Sequence, residues 1–562
     1  MNILLVGFPV FARELAALGH AVYSAGTAPG SDVVLPPGKF SLDAILATLG
    51  PSRRPDLCLL VENIGAREFP LGLERSPIPV VFYSIDSHLN FFWQQHFARV
   101  CDCVLTTQRD FVAPFSAVCP DVQWLPWSCD PAEYDDTGSE RDLDVVFVGS
   151  ADDSRPKRKL LLELAARQCD LRVFSPLPGK WYTAREIAAI FNRAKIVINE
   201  SVCREVNFRV FEAIGAGAML LTERVDNGLG ELFEEGRHLV AFTPFDLVRK
   251  LGRYLADGEE RSRIARAGRE HLLRHHLRSV RAARLAAILE RVERRPERNG
   301  VSLARSYVLL LRRGVVPVER YLPLAAAMLD EACRRGDRDA AAAWLDRGEL
   351  YQSLGDRQEA ASSYAASWLS GERSVRLALQ WGVALLELGR EEEARAILRL
   401  LADMGIPAPL GEELAAVLGE AIPSAGLYLV LGRIAESTED RFRPGFVSVA
   451  YSGVPLSGVD YAEMAQSLAP HDVAVAEMLA RIRFENGDYL LAARSYLDAW
   501  EKGEGGIELL ERAAQALALT YKLDETAEVM RLVCGQTNAR KHHDFLCAIE
   551  DAIAGGKVDS GG

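Results

Sequence analysis

No run of about eighteen uninterrupted apolar residues occurs in this 562-residue chain, so no segment reads as a membrane span. The start, Met1 to Val10, has a short apolar run without a basic flank or a small-residue cleavage site; it reads as a strand and not as a signal peptide. Positive charge is also in deficit, 65 lysines and arginines against 78 aspartates and glutamates for a net charge of −13. That argues against general nucleic-acid binding, because neutralising phosphates needs a basic surface. The ten cysteines have no framework spacing and read as reduced thiols of a cytoplasmic protein. Cys101 and Cys103 lack a matching second pair, which speaks against a zinc site. What remains is the composition of a folded chain, 49% apolar and 25% charged, long enough for two to four domains.

The first half alternates strand and helix patterns. Ile3 to Val6 is an apolar strand, Gly7 to Pro9 a turn, Val10 to Leu18 a helix, and Ala21 to Tyr23 the next strand; such units build parallel sheets with ligands at the carboxyl ends of the strands. Further strands are expected at Leu57 to Val61, Val80 to Tyr83 and Val104 to Thr106. After a polar stretch from Asp130 to Arg141 the pattern restarts, with strands at Val145 to Val148, Leu171 to Phe174, Ile196 to Asn199 and Met219 to Thr222, and a helix at Phe208 to Ala216. Two sheet domains follow, with a ligand cleft between them. An arginine-rich helical run from Arg261 to Arg284 reads as a solvated face packed by its leucines, with peripheral contact to an anionic membrane as the alternative. Arg294 to Gly300 reads as a linker.

Beyond residue 300 the sequence is helical and repetitive. Trp344, Gly348, Tyr351, Gly355, Ala360 and Tyr364 recur thirty-four residues later as Ala378, Gly382, Leu385, Gly389, Ala394 and Leu398. Gly348 permits close helix approach and Gly355 ends a helix. A third copy runs through Ala480, Gly487, Ala492, Tyr496 and Ala499, and a weaker one surrounds Ala514, Ala527 and Val529. The period and pattern resemble the tetratricopeptide repeat (TPR), which implies protein partners bound at 340–400 and 473–535. Prolines from Pro407 to Pro455 predict an interruption between two short arrays.

Asn207-Phe-Arg209-Val-Phe-Glu212-Ala-Ile-Gly215-Ala-Gly217, with Ala194 to Asn199 before it and Gly230 to Gly236 after it, resembles the donor half of a GT-B glycosyltransferase of the spore-maturation-protein-like (CgeB-type) group. The resemblance spans about residues 1 to 290. The fold class expected is α/β followed by all-α: a Rossmann-like acceptor domain at 1–138, a Rossmann-like donor domain at 139–295, and a TPR-like solenoid at 301–562. The helix opening at Asn207 suits a nucleotide-sugar diphosphate, and the resemblance implies that Glu212 accepts from ribose hydroxyls. Arg155 and Arg158, just past the strand ending at Gly149, are placed to grip diphosphate. Gly7, Gly149, Arg209 and Gly215 complete the expected donor-binding set. Where the family has a further glutamate eight residues before Glu212, this chain has Arg204, with Glu205 one residue late. Asp86 and His88 are the candidate bases for an acceptor hydroxyl.

Asp142 and Asp144 have the spacing of a manganese pair of another glycosyltransferase class but precede a strand of the wrong domain; no metal or other cofactor is expected. The function expected is sugar transfer from a nucleotide-sugar to an acceptor, a protein held by the repeats, such as a bacterial surface or flagellar subunit. Transfer to a lipid-linked or surface polysaccharide and a non-catalytic scaffold are the alternatives. A peripheral position at the inner face of the membrane is compatible with either acceptor.

Overall fold

The computed structural model describes residues 1–27, 29–36, 39–62, 69–153, 155–177, 181–296, 298–312, 316, 318–336, 339–438, 458–485, 487–502 and 506–554. Short apolar runs bounded by turns form two all-parallel sheets, as expected for strands buried on both faces. The first contains β1 (Asn2–Gly7), β2 (Ala21–Gly26), β3 (Val33–Val34), β4 (Leu57–Val61), β5 (Val80–Ser84), β6 (Cys103–Thr106) and β7 (Val122–Trp124), in spatial order 3-2-1-4-5-6-7. The second contains β8 (Leu143–Val148), β9 (Leu171–Phe174), β10 (Ala194–Asn199), β11 (Met219–Glu223) and β12 (Val240–Phe242), in order 12-11-10-8-9. In the first sheet the order reverses between β1 and β4, in the second between β8 and β10, and such switch points open a crevice at the carboxyl ends of the strands. Gly7 lies in the first crevice with φ 94°, and a Cβ there would stand 2.0 Å from the Val61 carbonyl oxygen, so only glycine fits.

The domains are fastened to one another. The helix Arg278–Leu289 follows the second sheet but packs beside the helix Ala12–Ala17 of the first. The chain entering it is paired to the junction, Cys129 N–H donating to the His276 carbonyl at 2.9 Å and Arg278 N–H to that of Cys129 at 2.8 Å. Two facing parallel-sheet domains with the closing helix returned to the first are the GT-B arrangement. The arginine-rich run is largely engaged within the molecule: Arg263 with Glu260, Arg274 with Glu270, Arg269 with Asp135 and Arg278 with Asp130. All ten cysteines are free, and among the described residues no helix is long and apolar enough to cross a membrane.

The segment read as a linker is bonded to the first domain. Arg294 donates to the Ser76 carbonyl at 3.0 Å, and Arg298 donates to Asp102 at 2.5 Å and to the Ile78 carbonyl at 3.0 Å. The helix Gly300–Arg312 then lays Leu303, Tyr307 and Leu310 into the same core as Phe82, Trp93 and Phe97. Antiparallel helix pairs follow at the expected places: Ala340–Ser353 with Arg357–Leu369, Val375–Glu387 with Glu391–Arg399, Val473–Glu485 with Tyr489–Glu501, and Ile507–Leu519 with Leu523–Gln536. Gly348 faces the Tyr364 ring, and a Cβ there would come within 2.4 Å of it; Gly382 meets Leu398 in the same way. The interrupted stretch includes the helices Ala408–Val417 and Ala425–Ser437, while Pro444 and Pro455 lie outside the described residues. The last helices share a core with the second sheet, Leu510, Leu517 and Tyr521 packing with Val240, Phe242 and Leu251. The array therefore starts on one sheet domain and ends on the other.

Candidate functional site

The carboxyl ends of the two sheets face each other, and the side chains that meet there come from both. β5 ends at Ser84, and the helix Ser87–Phe97 begins three residues later with Asp86 at its N-cap, whose side chain makes no capping bond. The turn between them is held from below: fully buried Glu62 accepts the N–H groups of Ile85 and Asp86 at 2.9 and 3.0 Å, and the amides of Asn90 and Gln94 at 2.8 Å each. Burial, then the neighbouring Asp86 charge, pushes the Glu62 carboxyl up to about 7. Burial and the Glu205 charge also raise Asp86, while His88 and Arg155 oppose the rise.

His88 donates from Nε2 to Glu205 Oε2 at 2.8 Å, with side chains 2% and 14% exposed. Burial alone would lower His88, but the Glu205 carboxylate outweighs it and the imidazole is raised. Burial likewise works against the Glu205 charge, and the His88 pair and the Asn207 amide hold that carboxyl below its ordinary value. Among the described residues, Asp86, His88 and Glu205 form the group whose ligand atoms are spaced for a metal ion, all within 4.8 Å of one another. His88 Nδ1 is buried without a hydrogen-bond partner.

Glu205 reaches this place through an unusual loop. Between β10 and the helix Phe208–Gly215, Cys203 and Arg204 both take left-handed backbone, φ 50° and 64°, a conformation that disfavours residues with a Cβ. The two turns in succession swing the residue that counting places one position late onto His88. The loop is also clamped by Gln108, whose Oε1 accepts the Val206 N–H at 3.1 Å and whose Nε2 donates to the Val206 carbonyl at 3.3 Å. Asn227 donates to the same Gln108 at 2.7 Å. Neither Gln108 nor Asn227 carries a sequence signal, because an amide acting across domains has no spacing rule.

In the second domain Asn207 is the N-cap of the helix Phe208–Gly215, with an extended φ of −96° and no side-chain capping bond; its amide donates to Asn199 at 3.2 Å. Arg209 fills the crevice between β8 and β10: Nε and Nη2 donate to the Val148 carbonyl at 3.0 and 2.6 Å, Nη1 to Asn199 Oδ1 at 2.5 Å, and the guanidinium lies 4.5 Å from the Phe147 ring centroid. Burial, then Arg158, lowers it to about 10. Gly149, at φ 145°, makes room, since a Cβ would meet Arg209 at 2.7 Å. Glu212 accepts from the Tyr134 hydroxyl at 2.8 Å and is raised by burial. Gly215 lets that helix approach the junction, a Cβ falling 2.5 Å from Cys129 Sγ.

The two loop arginines differ. Arg158 is buried and turned inward, to Glu200 and the Ser150 carbonyl at 2.8 and 2.9 Å. Arg155, one residue before the helix Pro156–Ala166, is close enough to Asp86 and Cys203 to act on both electrostatically. The structure thus brings Asp86, His88 and Arg155 together with Glu205, while Gly7, Gly149, Arg209 and Gly215 shape the crevices behind them. Asp142 and Asp144 are paired with Arg193 and Lys195. A cavity of about 470 Å³ lies elsewhere, in the helical array between Phe484, Tyr496, Glu508, Glu511, Arg512 and Gln515.

Residues 155–287 match the family model described as glycosyl transferase-like. No curated protein matches the chain in sequence. Among solved structures, the chain is similar to sucrose-phosphate synthase from Thermosynechococcus elongatus, at 12% identity over 51% of this chain and 98% of that one, with a TM-score of 0.39. It is also similar to HepE from Anabaena in complex with UDP-glucose, at 14% identity over 51% and 99% with a TM-score of 0.41. A third similar structure is a glycosyltransferase from Rickettsia africae, at 9% over 52% and 98% with a TM-score of 0.38. The matched residues lie in the second parallel-sheet domain, which together with the parallel-sheet domain facing it has the arrangement of the GT-B fold.

Proposed function

We propose that the chain transfers a sugar from a nucleotide-sugar, bound between the two sheets, to a nucleophilic side chain of a protein acceptor recruited by the helical array. The observation that carries this reading is the convergence of Asp86 and His88 from the first sheet with Glu205 from the second. The donor diphosphate sits at the amino end of the helix Phe208–Gly215, where unpaired backbone N–H groups and the helix dipole favour negative charge. Arg155 adds a cation on the same side. Glu212 takes the ribose hydroxyls, exchanging its bond to Tyr134 for them.

Asp86 is the base. Its carboxylate is half-buried and raised in pKa, so it both reaches the cleft and holds a proton better than an ordinary aspartate. It removes the acceptor proton as the acceptor oxygen bonds to the anomeric carbon. The bond from that carbon to the diphosphate oxygen breaks, and the departing negative charge falls to the helix amides and Arg155. The His88–Glu205 pair fixes the distance between the domains on which this alignment depends. No step uses a metal ion. A cytoplasmic location accords with the ten free thiols.

The test is a screen of UDP-, GDP-, ADP- and TDP-sugars by thermal shift, followed by transfer of labelled sugar from the donor that binds. Label entering polypeptide, and lost in Asp86→Asn, supports the proposal. Label entering only lipid or polysaccharide refutes the protein acceptor, and no donor binding at all refutes sugar transfer.

A further inference from the structure

Of the turns inside the four helix pairs named above, three are closed by glycine and the fourth by tyrosine. Gly355, Gly389 and Gly487 have φ of 83°, 70° and 83°, each two residues before a helix start. Tyr521 occupies the same place thirty-four residues after Gly487, two before Leu523–Gln536, at φ 65°. The bonding is the same: Gly487 N–H donates to the Phe484 carbonyl and Asp488 N–H to that of Arg483, while Tyr521 N–H donates to Ala518 and Lys522 N–H to Leu517. The turn needs left-handed backbone, which glycine adopts freely and tyrosine does not. Retaining a large side chain there calls for a reason outside the turn, and strain of this kind collects at functional sites.

The side chain supplies that reason. Tyr521 is 3% exposed, and its hydroxyl donates to Glu223 Oε1 at 2.9 Å. Glu223 is the last residue of β11, and its Oε2 accepts the Ser201 N–H at 3.1 Å and Lys157 Nζ at 2.8 Å. Ser201 opens the loop that carries Cys203 and Arg204 in left-handed backbone and delivers Glu205 to His88; its hydroxyl donates to the Glu205 carbonyl at 2.8 Å. An unbroken path of hydrogen bonds therefore runs from the last hairpin of the array to the meeting point of the domains.

We propose that Tyr521 is a positioning residue of the cleft: through Glu223 it holds the loop 200–207, and with it Glu205, in the conformation that meets His88. The last helix pair is then a working part of the site and not only a recruiting module. The role in catalysis rests on the sugar-transfer reading above, but the link between Tyr521 and the loop does not.

Tyr521→Phe keeps the ring and removes the hydroxyl. Glu223→Gln leaves one acceptor oxygen for the two donors Tyr521 and Ser201 and so weakens the same link from the other side, should the first variant fold poorly. Tyr364→Phe is the control, since it removes a buried tyrosine hydrogen bond, to Gln352, elsewhere in the array. Amide hydrogen exchange in the full-length chain is expected to be at least about fivefold faster at Ser201 and Val206 in Tyr521→Phe and Glu223→Gln, and unchanged there in Tyr364→Phe. Calorimetry with UDP, GDP, ADP and TDP is expected to show the nucleotide that binds wild type bound about five- to tenfold more weakly by both site variants. Unchanged exchange at Ser201 and Val206 overturns the proposal. Faster exchange with unaltered nucleotide affinity overturns its functional half. Faster exchange in a protein whose wild type binds none of the four nucleotides upholds the link and refutes sugar transfer instead.

Discussion

The pair His88–Glu205 should hold the two sheet domains together in a pH-dependent way. Its members are 2.8 Å apart and both side chains are largely buried, so truncating one leaves the other charge without a partner in a poorly solvated place. Breaking a buried pair costs about 3–5 kcal/mol, reduced in His88→Ala because Glu205 can take up a proton. The interaction itself, isolated by a double-mutant cycle of His88→Ala and Glu205→Gln, should be about 1.5–3 kcal/mol for a hydrogen bond between charged groups. The sign with pH follows from the two shifts. His88 is raised above its ordinary 6.5, so its contribution is complete below about pH 6.5 and is lost as the pH rises through the folded value. Glu205 is lowered below its ordinary 4.5, so its contribution is complete above about pH 4.5 and is lost as the pH falls through the folded value. A chain of several domains does not unfold in two states, so the assay is native-state exchange of the Val206 amide, which is bonded across the domains to Gln108. A coupling energy equal at pH 6 and pH 9, or below about 0.5 kcal/mol at pH 6, would refute the reasoning.

Other perturbations test the remaining parts. Glu212→Ala should weaken nucleotide binding about tenfold by calorimetry, because it removes a charged hydrogen-bond acceptor of the proposed ribose site. Glu349 is fully buried among Arg305, Arg312 and Arg376 and held below the usual carboxylate range, burial being outweighed by the three arginines. Glu349→Gln should therefore destabilise the base of the array by about 3–5 kcal/mol, seen as faster amide exchange in Gly300–Arg312 and Ala340–Ser353 with little change around Val206. Deleting residues 301–562 should give an aggregating product: Leu303, Tyr307, Val308 and Leu310 are at most 2% exposed. Burying four such side chains contributes about 6–12 kcal/mol, comparable with the whole stability of a domain. A soluble, cooperatively melting 1–300 fragment would contradict this.

The sequence makes some parts of this molecule legible and hides others for physical reasons. Parallel strands announce themselves because burial on both faces leaves unbroken runs such as Leu57–Val61 and Val80–Ser84. The hairpins at Gly355, Gly389 and Gly487 are readable because left-handed turns select glycine. The fourth turn escapes for the same reason inverted, since a search for glycine passes over Tyr521. Glu205 is misplaced by counting because two left-handed residues before it change the path of the chain without changing its length. The expected linker from Arg294 is read from composition, yet arginines bond backbone carbonyls as readily as they solvate, and here they dock on Ser76 and Ile78. Nor does an amphipathic face say which surface it covers: Leu303 and Leu310 look the same whether they meet a neighbouring repeat or the helix Ser87–Phe97.

That last ambiguity bears on how the parts act together. The loop 200–207 is held from three bodies: by His88 and Gln108 of the first domain, by Glu223 of its own domain, and through Glu223 by Tyr521 of the array. At its other end the array grips the helix Ser87–Phe97, where the Ser306 hydroxyl donates to the Trp93 carbonyl at 3.3 Å and whose first turn carries His88. A partner that bends the array must then either move the two ends of the cleft relative to one another or strain one of these attachments. Packed interiors resist continuous deformation, so the array and the cleft share one set of allowed positions. On the proposed reading, a protein acceptor seated on the helices is sensed at the loop 200–207 by that route, without touching the nucleotide.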